Sequence, residues 1–95
     1  MSVIAYNRLP PYMQAPARAY IEHGQPPGAF LLAVLRNDLC GAFARADDEN
    51  LAALQEWTRW LMDIHPGAWG NDLAVEAWIK RGGAGDDGAE AGAGE

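Results

Sequence analysis

Cysteine, serine and histidine are almost missing from this chain of 95 residues: Cys40, Ser2 and the pair His23 and His65 are all it holds. A single cysteine excludes an internal disulfide and a cysteine-rich zinc site, and it fits a reducing compartment. A lone serine near the start and two histidines at expected helix ends leave no nucleophile and base to work together. There is no Gly-x-Gly-x-x-Gly, no P-loop, no His-Glu-x-x-His and no Gly-x-Ser-x-Gly. Carboxylates occur at no spacing that suits a metal, so neither a metal nor a cofactor is expected. No apolar run approaches the 18 residues of a membrane span, and the opening Met-Ser-Val-Ile-Ala-Tyr-Asn-Arg holds no apolar run of the length expected in a signal peptide. The expectation is a cytoplasmic protein that makes no membrane contact.

Basic charge is also scarce. The net charge is −6, from 13 acids against seven bases. Four of the acids fall in residues 82–95, a stretch with six glycines and no large apolar side chain, which reads as a disordered tail. Without that tail the chain is close to neutral. General nucleic-acid binding is therefore not expected.

What is present is apolar and helical in period. Over residues 28–46, Leu31, Leu32, Leu35, Leu39, Ala42, Phe43 and Ala46 share one broad arc. Phe30, Ala33, Cys40, Gly41 and Ala44 occupy the other side, with Asn37 among them. A helix apolar nearly all round is buried on both sides, so the spacing predicts one central helix with Cys40 buried in it. The second face (Phe30, Ala33, Asn37, Gly41, Ala44) would then join two copies in a dimer.

Three further helices are predicted around that one. Pro10 and Pro11 introduce the first, expected to start near residues 12–15 so that Pro16 lies in its first turn, with Tyr12, Ala15, Ala19 and Tyr20 on one face and Gly24 as its stop. Asp47 caps the third, residues 48–64, whose core stripe is Leu51, Leu54, Trp57, Leu61 and Ile64. In that helix Glu56, Arg59 and Asp63 face water and Trp60 sits at the edge. Beyond a break at residues 65–67 and a turn bearing Trp69, Asn71 caps a short fourth helix that packs Leu73, Ala74, Ala77 and Trp78. The division is an arm over 1–9, a helical domain over 10–81 and the tail.

One constellation rises above this background: Asn37, Asp38 and Arg45, followed by Asp47 and Asn50. Asp38 and Arg45 are seven residues apart and would share a helix side. They form either a partly buried ion pair that fixes how neighbours dock or, with Asn37 and Asn50, a polar pocket for a ligand carrying phosphate or base edges. Trp60 and Trp69, at an edge and a turn, either finish the core or offer a ring to a partner.

The run Tyr20-Ile-Glu-His-Gly24, Pro27-Gly-Ala-Phe-Leu31, Ala33-Val-Leu35, Asn37-Asp-Leu39, Ala42, Arg45-Ala-Asp47 and Asn50, with Pro66, Trp69-Gly70 and Trp78 beyond it, resembles a group of small uncharacterised proteins encoded by bacteriophages and prophages. The likeness covers residues 9–80. It implies a phage origin and an accessory role such as counter-defence in the host cytoplasm.

The expectation is thus an all-α, four-helix, non-enzymatic binding protein. Its partner would be a nucleotide-like immune signal or a host defence protein, besides a second copy of itself. The alternative is a phage component that works through self-assembly with no small ligand.

Overall fold

The computed structural model describes residues 4–84. No strand occurs among them; six α-helices and two short 3-10 turns follow one another, where four helices were expected. The helices are α1 (Pro11–His23), α2 (Ala29–Leu35), α3 (Leu39–Arg45), α4 (Asp48–Ala52), α5 (Leu54–Asp63) and α6 (Asp72–Arg81). Residues 1–3 of the expected arm and 85–95 of the expected tail lie outside the described residues.

Both additional helices come from breaks inside predicted ones. The expected central helix stops at Leu35, where the Asn37 N–H bonds the Val34 carbonyl at 3.1 Å and the Asp38 N–H bonds the Ala33 carbonyl at 2.9 Å. Asn37 takes a left-handed conformation, φ 64°. This crossed pair of bonds closes a helix end, and asparagine is among the few residues that tolerate the geometry. The next side chain, Asp38, then accepts from the Gly41 N–H at 3.0 Å and starts α3. One helix is closed and another opened within three residues. The second break is milder: Ala53, at φ −99° and ψ 13°, separates α4 from α5.

The core is aromatic. Trp57, Trp60, Tyr20, Leu31, Leu35 and Val75 are its largest fully buried side chains. Trp57 meets Trp60 edge-on at 5.4 Å between centroids and Phe30 at 5.5 Å, the geometry that ring quadrupoles favour. Trp60 is only 1% exposed, not at an edge as expected, because the N-terminal turn at Tyr6–Arg8 brings the Tyr6 ring to 6.5 Å from it.

Other placements differ from the spacing-based reading for similar reasons. α1 begins at Pro11 and carries Pro16 inside it; Ala17, Tyr20 and Ile21 face inward while Tyr12 is exposed. Asn50 takes an inward position beside Leu51, which is exposed, and on α6 Val75 and Trp78 are buried while Leu73 and Ala77 face out. Phe30 and Ala33 are buried within the chain, whereas Cys40 and Ala44 on α3 are exposed and Gly41 is half-buried. The break at 36–38 therefore removes the single face expected to join two copies.

The caps read from sequence at Gly24, Asp47 and Asn71 are present. Past α6 the described chain continues to Ala84. The Ala84 N–H bonds the Ile21 carbonyl at 2.7 Å, and a Cβ on Gly83 would lie 2.6 Å from the Gly24 nitrogen. Two backbones thus touch where no side chain fits.

Candidate functional site

Of the polar set singled out in the sequence, Asp47 and Asn50 come together, but with partners from elsewhere. Asp47 Oδ1 accepts from the Asn50 N–H at 2.8 Å, and the Tyr12 hydroxyl donates to its Oδ2. Asn50 Nδ2 donates to the Tyr12 oxygen at 3.1 Å, and Asn50 Oδ1 accepts from the Trp57 indole N–H at 3.1 Å. Asn50 is the one buried polar side chain among the described residues, at 3% exposure, and its amide is satisfied on both sides. The network runs from the core indole of Trp57 out to an exposed tyrosine. Donation to Asp47 pushes the Tyr12 hydroxyl up to about 12, and the same bond, seconded by the Asn50 N–H, holds the Asp47 carboxyl below its ordinary value. These groups are engaged with one another rather than turned toward a ligand.

Arg45 lies apart from this network, its Nη1 3.4 Å from the Gly41 carbonyl. Among the described residues no ion pair joins it to Asp38, which is occupied as a cap. Asn37 and Asp38 border a shallow, mostly apolar groove of about 70 Å³ whose walls include Leu39, Leu54 and Leu61. Trp69 packs half-buried against the core, in a turn fixed by the Gly70 N–H on the Leu35 carbonyl at 2.7 Å. Both histidines lie at helix ends: His65 Nδ1 accepts from the Gly67 N–H at 2.8 Å, and exposed His23 lies 3.9 Å from Glu22. No three metal-ligating side chains gather among the described residues.

Two surface features stand out instead. The first is the run of chain that forms α3 and α4. Leu39 is 65% exposed, Phe43 51% and Leu51 45%, with Cys40 exposed between the first two. Tyr12, another exposed aromatic, reaches this run through Asp47. Asp38, Asp47, Asp48 and Glu49 are exposed along it, against Arg45 alone of the opposite sign.

The second is a cleft of about 410 Å³ that takes in Arg8 from the N-terminal turn and Glu56, Arg59, Trp60, Met62 and Asp63 from α5. The Glu56 carboxylate sits between two guanidinium groups: Oε1 is 3.8 Å from Arg8 Nη1 and Oε2 is 3.9 Å from Arg59 Nη1. The Trp60 indole nitrogen and Glu56 Oε1 are buried without a hydrogen-bond partner among the described residues.

Sequence reasoning named Trp60 here and expected Glu56, Arg59 and Asp63 to face water, as Arg59 and Asp63 do, whereas Glu56 is half-buried. Their spacing on one helix was visible; the arrival of Arg8 across it was not, because it depends on how the N-terminal turn docks. Tyr12 was missed for the same reason. Among the described residues no helix is long and apolar enough to cross a membrane. No family model matches the chain, and neither the curated proteins nor the solved structures contain a match.

Proposed function

We propose that this is a non-enzymatic binding protein that occupies another protein through its α3–α4 segment, in the phage accessory role, counter-defence in a host cytoplasm, that the sequence resemblance implies. The observation that carries this reading is the exposure of Leu39, Phe43 and Leu51 on one short run of chain. Large apolar side chains left exposed so near one another along the chain are costly to leave in water, and exposed apolar surface characteristically marks an interaction site. The exposed acids alongside define the partner's chemistry: an apolar pocket bordered by lysine or arginine. They also weigh against a second copy as the occupant, since two such segments would bring like charges together. Sequestration of a nucleotide-like signal is less favoured, because Arg45, Asp47 and Asn50 do not converge on an open pocket.

The test is affinity capture from the bacterial host with the wild-type chain beside the double variant Leu39→Asp, Phe43→Asp. A basic host protein retained by the wild type, released by raised salt and lost in the double variant supports the reading. A nucleotide freed on denaturing the purified chain, with no protein retained, returns it to sequestration. A doubled mass in light scattering, abolished by the same double variant, returns it to self-assembly.

A further inference from the structure

We infer that the cleft between the N-terminal turn and α5 binds a small neutral ligand rich in hydroxyl groups, a sugar or polyol. The inference is independent of the α3–α4 reading. It starts from two atoms that ought to be satisfied. Trp60 Nε1 can only donate and Glu56 Oε1 can only accept, both are buried, and both lack a hydrogen-bond partner among the described residues. The residues that carry them are one helical turn apart on α5 and line the same cleft.

A hydroxyl group is the simplest group that serves both, since it accepts from an N–H and donates to a carboxylate. A carboxylate cannot donate to Glu56, a phosphate sets its own negative charge against that carboxylate, and an ammonium cannot accept from Trp60. The arginines extend the argument. Their separations from Glu56, 3.8 and 3.9 Å, are too long for direct hydrogen bonds. They suit a single bridging oxygen, because two legs of about 2.8 Å can span such a gap.

Charge points the same way. Arg8 and Arg59 are offset by Glu56 and Asp63, so the lining has no net charge to recruit an anion or a cation. The volume, about 410 Å³, falls within the range of small-molecule sites. Met62, 81% exposed, supplies an apolar rim for the carbon face of such a ligand.

The chain has four tryptophans, and each indole N–H gives one amide-type NMR cross-peak, with Trp60→Phe assigning the one that matters. Titration of the full ¹⁵N-labelled chain with glucose and with ribose should move the Trp60 indole peak along a saturating curve, while inorganic phosphate leaves it in place. Glu56→Gln should weaken the binding about tenfold, the scale of one hydrogen bond to a charged group. Arg8→Ala, at an exposed side chain, gives a second reading should the Glu56 variant fold poorly. Phe43→Asp should leave the titration unchanged, which separates this cleft from the α3–α4 face. An indole peak unmoved by either sugar, or one that follows phosphate instead, overturns the inference and leaves an ordered water or an anion as the occupant.

Discussion

α2 and α3 are each seven residues long, predominantly apolar and separated by three residues, yet five side chains of α2 are buried and only Ala42 of α3. The difference does not lie in composition. α2 ends in a closed cap at Asn37 after its leucines and Phe30 have entered the aromatic core, and α3 starts afresh from its own cap at Asp38. Had the two been one helix, Leu39 and Phe43 would continue the buried arc of Leu31 and Leu35. A left-handed backbone at Asn37 and the cap made by the next side chain, Asp38, decide which apolar residues become core and which become surface.

The sharpest way to break this contrast is to truncate one leucine and one phenylalanine. Leu35→Ala, at a position with no exposure, should cost about 2–5 kcal/mol in urea unfolding, as cavities in packed cores do. Phe43→Ala should cost less than about 1 kcal/mol. Equal costs would mean that α3 is covered in solution. At the joint itself, Asn37→Val should destabilise by about 1–2 kcal/mol, because a β-branched residue resists positive φ, while Asn37→Gly should be tolerated. If the valine variant unfolds at the wild-type urea midpoint, the left-handed residue is not what separates the helices.

A smaller effect concerns the tie between the exposed segment and α1, the bond from Tyr12 to Asp47. The lowered Asp47 carboxyl contributes stability that is present above its ordinary value of 3.8 and is lost as pH falls through its folded value. The raised Tyr12 hydroxyl contributes stability that is present below pH 10 and is lost as pH rises toward 12. Thermal melts should therefore show the widest gap between wild type and Tyr12→Phe at neutral pH, narrowing toward both extremes. A gap that is constant with pH would show that the ring, not the hydroxyl, does the tying.

Much of the local structure was legible. The helical class, the caps at Gly24, Asp47 and Asn71, and the burial of Trp57 and Trp78 follow from residue type and spacing. Asn37 and Asp38 were noticed but read as residues inside one continuous helix, serving an ion pair, a pocket or a dimer face, because periodicity over residues 28–46 continues smoothly across them. Their capping preference competes with that period, and here it won. Trp60, Arg8 and Tyr12 depend on contacts between distant segments, which no window along the chain contains.

The meeting of Ile21 and Gly24 with Gly83 and Ala84 closes roughly 60 residues into a loop, an entropy cost of about 3–4 kcal/mol for a flexible chain. In many small proteins a disulfide makes such a closure. A covalent bridge restricts the unfolded chain as well, and much of its benefit is placed there. Here the seam is made of peptide groups alone, so it exists only in the folded state and the unfolded chain keeps its full freedom. It must reform each time the protein folds, it is indifferent to redox conditions, and it opens together with the helices it joins.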